Sequence, residues 1–149
     1  MEARADVEQL LWDGNTVQIT ISGYSMYPML VPGRDSVILA PLNGVQPKRG
    51  DVMLYRRDSS ILVLHRVWRV RRDGIYMVGD NQTETEGPLR ADQMRGRLEA
   101  FIRKGRQIPA SSFPYRVYAV LWLWMRPIRH KIAVAVHFMK GCVKRSDGK

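Results

Sequence analysis

The feature that most constrains this 149-residue chain is a succession of short apolar segments separated by turn residues, between residues 17 and 103. Residues 17–21 alternate apolar and polar side chains, which is typical of a strand with one buried face. Dipeptides such as Pro32-Gly33 and Asp73-Gly74 are turn signals between the segments. The pattern predicts a mainly β fold with a barrel-like or sandwich-like core, with strands at residues 17–21, 36–40, 52–56, 61–70, 75–78 and 97–103 and a polar loop at residues 79–88.

Helices are predicted at both ends of this β region. Residues 3–12 place Val7, Leu10 and Leu11 on one side of a short helix that stops at Gly14. Because this stretch is charged and has no apolar run, it is not expected to be a signal peptide. Cys142 is the only cysteine, so the chain can form neither an internal disulfide nor a cysteine-based zinc site.

The C-terminal segment, residues 113–149, is predicted to be a separate helical unit after a domain at residues 1–112. Its apolar runs at residues 118–125 and 132–139 are each too short to span a bilayer. The intervening residues 126–131 carry three basic side chains and Pro127, so two short helices fit better than one span. Trp122, Trp124 and the flanking basic residues are typical of an interfacial helix, although ordinary helices packed on the core remain the alternative.

The charge of the chain is concentrated in its last third. The net charge is +10, and residues 101–149 account for all of it, with 11 Lys and Arg against the single acid Asp147. An anionic membrane surface is therefore a candidate partner, and the chain is expected to be membrane-associated, with a cytoplasmic protein as the alternative. Nucleic acid is an unlikely partner, because long apolar runs interleave the basic residues. His130 and His137 have no third ligand, so no metal site is expected.

A serine and a histidine suggest chemistry. Ser25 lies on a turn after Gly23, and His65 lies at the end of an apolar run. A serine hydroxyl needs a base to remove its proton, and histidine suits that task near neutral pH. A carboxylate usually orients the histidine, and Asp80 or Glu86 could do so here. Taken alone, a serine of this kind is more often a turn residue and a histidine of this kind more often a core residue. The order of the sequence motifs therefore has to decide between a structural and a catalytic role.

That order resembles the type I signal peptidase family over residues 20–97. The first block, Ser-Gly-x-Ser-Met-x-Pro, lies at residues 22–28, and Gly-Asp followed by a strand lies at residues 50–55. The third, His-Arg-Val at residues 65–67, is similar to the endoplasmic-reticulum and archaeal type, which uses histidine in place of lysine. The fourth, Gly-Asp-Asn, lies at residues 79–81.

The resemblance implies a serine endopeptidase without metal or cofactor that cleaves signal or leader peptides from precursor proteins after small residues. It implies that Ser25 is the nucleophile, that His65 is the general base and that Asp80 is the aspartate of the fourth block. Glu86 stands where histidine-type members have a second functional aspartate. The substrate groove is expected to involve Gly23, Met26 and Tyr27.

Other functions compete with this interpretation. Self-cleaving repressors share a Ser-Met block, but they use a lysine base and carry a helix-turn-helix domain. No lysine lies between Lys48 and Lys104, and the 24 residues before Ser25 are too few for that domain. The remaining alternative is a catalytically decayed, basic module that binds a membrane or a partner.

Overall fold

Antiparallel strands dominate the computed structural model, which describes residues 6–58, 61–129, 131–132, 134–135 and 138–139. The strands are β1 (Val17–Thr20), β2 (Asp35–Ala40), β3 (Val52–Arg56), β4 (Leu62–Arg71), β5 (Gly74–Val78), β6 (Glu86–Leu89), β7 (Met94–Arg103) and β8 (Arg106–Pro109). They form one sheet in the order β1-β2-β7-β3-β4-β5-β6, with β8 paired to β7 beside this path.

The prediction of a mainly β fold is confirmed, and the sheet is not closed into a barrel. The sheet stays open because its two end strands do not meet: among the described residues, β1 pairs only with β2, and β6 only with β5. The six predicted strands are present within three residues of their predicted limits.

Two strands were not predicted. Strand β6 occupies the end of the predicted polar loop, and its Gly87 and Pro88 are residues that strands disfavour, although an edge strand tolerates proline. Strand β8 follows a two-residue turn in which Lys104 and Gly105 both have positive φ, of 51° and 74°. This is the geometry of a tight hairpin, and it pairs Arg103 with Arg106.

Strand β3 separates two halves of the hydrophobic core. Val52 and Leu54 belong to a cluster that includes Met26, Leu39 and Phe101. Met53 and Tyr55 belong to a second cluster on the opposite face of the sheet, with Val67, Met77 and Met94. Because successive strand residues point to opposite faces, a strand buried on both sides has a continuous apolar sequence, as residues 52–55 do.

The N-terminal helix, α1 (Val7–Trp12), covers one edge of this core. It begins at Asp6, whose carboxylate accepts hydrogen bonds from the backbone N–H groups of Glu8 and Gln9. Leu11 is buried against β7, where Gly96 leaves room for its side chain. The predicted start of this helix, at residues 3–5, lies outside the described residues.

The C-terminal helix, α2 (Phe113–Trp124), starts at the predicted boundary and buries Tyr115, Ala119 and Leu123. It ends at Trp124, with Met125 as its C-cap two residues before Pro127, and residues 126–129 form a further helical turn. The predicted second helix covers residues 132–139, of which residues 132, 134, 135, 138 and 139 are described and helical, whereas His137 lies outside the described residues. None of the helices in the described residues is both long and apolar enough to span a bilayer.

Candidate functional site

The turn that follows β1 carries Ser25. Gly23 allows this turn because its φ of 76° lies in the left-handed region that other residues disfavour. The carbonyl oxygen of Ser25 accepts a hydrogen bond of 2.9 Å from the backbone N–H of Asn81. A Cβ atom on Gly79 would lie 2.6 Å from the same oxygen, so only glycine permits this approach. The first and fourth sequence blocks are therefore in direct contact.

His65 lies on β4 with 3% of its surface exposed. Its register partner on β3 is Met53, which brings Tyr55, two residues further along β3, to the same face of the sheet. The Tyr55 hydroxyl lies 3.1 Å from Nδ1 of His65, and the two ring planes are inclined at 59°. Strand pairing therefore provides a hydrogen-bond partner for one nitrogen of the histidine.

Glu86 reaches His65 through this tyrosine. The Tyr55 hydroxyl donates a hydrogen bond of 2.6 Å to Glu86, and Arg57 donates two, of 2.7 and 2.8 Å, to the same carboxylate. A tyrosine has one hydroxyl proton, and an ionised carboxylate can only accept. Tyr55 therefore accepts from Nδ1–H of His65, which leaves Nε2 as the unprotonated ring nitrogen.

The surroundings keep these groups in the required protonation states. Burial lowers the pKa of His65 to about 4, and the nearby charge of Glu86 offsets only part of that effect. Burial and the hydrogen bond to Glu86 raise the pKa of Tyr55. Burial opposes the charge on Glu86, but the hydrogen bonds from Arg57 and Tyr55 outweigh it and lower the pKa of Glu86. At neutral pH the histidine and tyrosine are thus uncharged and the glutamate is ionised.

Asp80 is paired with Arg66 and not with the histidine. Both side chains are fully buried, and Arg66 donates two hydrogen bonds of 2.8 Å to the two carboxylate oxygens of Asp80. Arg66 also donates to the carbonyl oxygen of Gly50 and to the hydroxyl of Tyr115. The second, third and fourth sequence blocks and helix α2 thus meet at one guanidinium group.

The backbone of the Asp80 loop is held by the C-terminal helical region. The Asp80 carbonyl oxygen accepts hydrogen bonds from Nε1 of Trp122, at 3.0 Å, and from Arg129, at 2.5 Å. Arg126 donates to the carbonyl oxygen of Thr83 in the same loop. The inner face of α2 and the turn after it therefore position the loop that contacts Ser25.

Ser25 and His65 are not hydrogen-bonded to each other. Within the described part of the chain, neither the Ser25 hydroxyl nor Nε2 of His65 has a hydrogen-bond partner. The serine turn and strand β4 are nonetheless neighbours, because both line one cavity, although His65 itself is not in its lining.

This cavity has a volume of about 240 Å³. Ser25, Gly23 and Met26 line one part of it, and β4 contributes Leu62, Val63 and Leu64, the residues directly before His65. Val7 of α1 and residues 19–21 complete an apolar wall. Of the predicted groove residues, Gly23 and Met26 therefore lie at this cavity, and Met26 is also part of the core. Tyr27 is not in its lining and is about half exposed.

Three residues at this site had no predicted role: Tyr55, Arg57 and Arg66. Tyr55 lies in the second sequence block and Arg66 in the third. Their position in these blocks was the only sequence feature that could have indicated a role for them. Among the described residues, no group of three or more His, Cys, Asp or Glu side chains is placed to hold a metal ion.

Comparisons with known proteins give no assignment for this site. No protein-family model matches the chain, and no curated protein sequence matches it.

Proposed function

We propose that the chain is a serine endopeptidase similar to signal peptidase I, which cleaves signal or leader peptides from precursor proteins. Ser25 is the nucleophile and His65 the general base. The observation that carries this proposal is the hydrogen-bonded series from Arg57 through Glu86 and Tyr55 to His65. It supports the proposal because it leaves a buried, neutral histidine with one unprotonated nitrogen, on the strand that lines a cavity with Ser25.

In the proposed reaction, Oγ of Ser25 attacks the scissile carbonyl carbon while Nε2 of His65 accepts the hydroxyl proton. The histidine then returns this proton to the leaving amine, the C–N bond breaks, and the acyl group remains on Ser25. A water molecule, deprotonated by the same nitrogen, then attacks the acyl carbon. The ester C–O bond to Ser25 breaks, the histidine returns the proton to Oγ, and the carboxylic acid product leaves. The backbone N–H of Ser25 is the proposed donor to the oxyanion.

Glu86 stabilises the histidine in its charged form. When Nε2 gains a proton, the ring carries a positive charge, and the ionised Glu86 lies on the far side of the Tyr55 hydroxyl. The tyrosine increases the separation of the two charges, so the stabilisation is weaker than in a direct pair. Asp80 has only a positioning role in this proposal. Its ion pair with Arg66 holds the loop whose Asn81 N–H contacts the carbonyl oxygen of Ser25.

Substrate binding has to bring Ser25 and His65 into contact. Catalytic hydrogen bonds are often longer in a free enzyme and tighten when substrate is present. The unpaired edge of β1 borders the cavity, since Ile19 and Thr20 line it, and an extended peptide could add there as a strand. The small apolar cavity would then receive small side chains of the substrate.

The proposal includes contact with an anionic membrane surface through residues 113–149. Supporting it, helix α2 exposes apolar side chains on its outer face as well as burying them on its inner one, and its one charged residue is Arg116. Phe113 and Trp124 are 79% and 68% exposed, and Val117, Val120 and Leu121 lie exposed between them. A helix that is apolar on all sides usually lies in a core or in a membrane.

The test is incubation of the purified protein with a precursor peptide that contains an Ala-x-Ala site. Mass spectrometry of the products should show one cut after the second alanine for the wild type and for Ser111→Ala, which changes an exposed serine remote from the site. The Ser25→Ala protein should give no product. Cleavage that persists in Ser25→Ala would reject the proposal, and a folded wild type that leaves every such peptide intact would favour the decayed binding module.

A further inference from the structure

A second cavity, of about 560 Å³, lies between the end of α2 and strand β4. Three arginines line it, Arg49, Arg69 and Arg126, together with Trp68 and Trp124, and its lining includes no aspartate or glutamate. Within the described part of the chain, none of the three arginines forms an ion pair with a carboxylate. Other arginines at the surface, such as Arg34, Arg57 and Arg90, do have such a partner. The three arginines of this cavity are therefore a cluster of uncompensated positive charge.

Two of these guanidinium groups are held close to the same ring. The Cζ atoms of Arg69 and Arg126 lie 4.1 and 4.6 Å from the ring centre of Trp68. Nε of Arg126 is buried without a hydrogen-bond partner in the described structure. Burial and the neighbouring charge of Arg69 both lower the pKa of Arg126, which is the effect expected of like charges held together. An anion in the cavity would relieve this repulsion and satisfy the free donors.

The cavity opens beside the exposed apolar face of the helix. Trp124 belongs to both, since it lines the cavity and is largely exposed. The rest of that face follows at helical spacing, with Val117, Val120, Leu121 and, past the helix end, Ile128. A ligand that fills the cavity with an anionic group therefore has apolar protein surface directly next to it.

We propose that the cavity of Arg49, Arg69 and Arg126 binds the phosphate group of an anionic phospholipid, while the exposed face of α2 lies against the acyl-chain boundary of the bilayer. The proposal rests on, and makes specific, the membrane contact proposed above. Guanidinium groups match phosphate oxygens in charge and in planar, two-point geometry. A lipid fits better than free phosphate because the apolar face needs a partner of its own, which a soluble ion does not provide.

The experiment is vesicle co-sedimentation with the full chain, using phosphatidylglycerol–phosphatidylcholine vesicles and pure phosphatidylcholine vesicles. The wild type should bind the anionic vesicles and not the neutral ones. Each basic residue at an anionic surface contributes about fivefold to binding. Arg49→Gln/Arg69→Gln should therefore bind roughly 25-fold more weakly, and Trp124→Ser should also lose affinity.

The matched control is Arg72→Gln/Arg106→Gln, which removes two exposed charges at hairpin turns that do not line the cavity. Because neither side chain lines the cavity, this variant should weaken binding much less than Arg49→Gln/Arg69→Gln does. Equal losses in the two double variants would overturn the site while leaving a general membrane contact in place. No binding of the wild type to anionic vesicles would overturn both.

Two further measurements separate the lipid from other ligands. Inorganic phosphate alone should bind weakly, and tight phosphate binding without vesicle binding would overturn the choice of a lipid. Sedimentation velocity should show a monomer, whereas a dimer that Trp124→Ser abolishes, with no vesicle binding, would assign the apolar face to a second copy. The Ser25→Ala protein should bind vesicles as the wild type does, so failure of the peptidase proposal and failure of the lipid site are distinguishable.

Discussion

The hydroxyl of Tyr55 lies 3.1 Å from Nδ1 of His65, and this contact determines which histidine nitrogen is free. The tyrosine hydroxyl donates its hydrogen bond to Glu86, so the histidine must donate to the tyrosine oxygen. In serine peptidases with a triad, a carboxylate normally takes this position directly. Here a neutral phenol lies between the carboxylate and the ring, with Arg57 on the other side of the carboxylate.

The first prediction concerns Tyr55→Phe. Removing the hydroxyl frees Nδ1, so the ring loses the hydrogen bond that selects its tautomer. Loss of this orienting hydrogen bond, which is worth about 1–1.5 kcal/mol net, should lower kcat by roughly tenfold, with little change in KM. The control is Tyr76→Phe, which removes an exposed hydroxyl bonded to Asp73 and should leave both constants unchanged. Unchanged kcat in Tyr55→Phe would show that the tyrosine has no positioning role.

The second prediction concerns the pH dependence of cleavage. Because burial lowers the pKa of His65 to about 4, the base is already neutral well below physiological pH. The value of kcat/KM should therefore stay level from pH 7 to pH 5 and decline as pH approaches 4. Circular dichroism at each pH confirms that the protein remains folded. A decline centred near 6.5, the ordinary value for histidine, would contradict a desolvated His65.

The third prediction concerns stability in the same pH range. The pKa of His65 is lower in the folded chain than its ordinary value of 6.5, so the unfolded chain binds more protons between pH 6.5 and pH 4. The contribution of His65 to the free energy of unfolding is therefore fully present above pH 6.5. It is lost as pH falls toward 4, so the free energy of unfolding should decrease by roughly 2 kcal/mol between pH 7 and pH 5. Urea unfolding at the two pH values measures this difference. His65→Gln should reduce it, and an equal pH dependence in that variant would assign the effect to other groups.

The fourth prediction concerns the buried pair of Arg66 and Asp80. Replacing one partner leaves an uncompensated buried charge, so Arg66→Met or Asp80→Asn should lower the free energy of unfolding by about 3–5 kcal/mol. The control is Arg90→Met, which breaks exposed pairs with Asp58 and Asp92 and should have no resolvable effect. If Asp80→Asn abolished cleavage with unchanged stability, Asp80 would have a direct catalytic role in place of a positional one.

The sequence predicted a strand best where its residues are buried on both faces of the sheet. Strand β3 was predicted with its observed limits because residues 52–55 are buried on both faces and form a continuous apolar run. Strand β6 was missed because Gly87 and Pro88 are typical of loops, and only its pairing with β5 shows it to be a strand. Closure of the sheet could not be judged from the sequence, because it depends on whether two distant edge strands meet.

The site was predictable as far as the sequence blocks reach. They brought forward Ser25, His65 and Asp80, and the contact of the serine turn with residues 79–81 agrees with their grouping. The link from His65 to Glu86 could not be predicted, because it depends on the register of β3 against β4, which places Tyr55 beside the histidine. The partner of Asp80 was missed for a related reason, since Arg66 and His65 are neighbours in sequence but project to opposite faces of one strand.

The most direct test of the account is a double-mutant cycle on Ser25 and His65. Cleavage of the Ala-x-Ala peptide would be measured in single-turnover conditions for the wild type, Ser25→Ala, His65→Gln and the double variant. Residues that act as one unit lose activity together. The account predicts that each single variant loses nearly all activity and that the double variant is no slower than either. Near-normal cleavage in a single variant, or losses that add in the double variant, would contradict it.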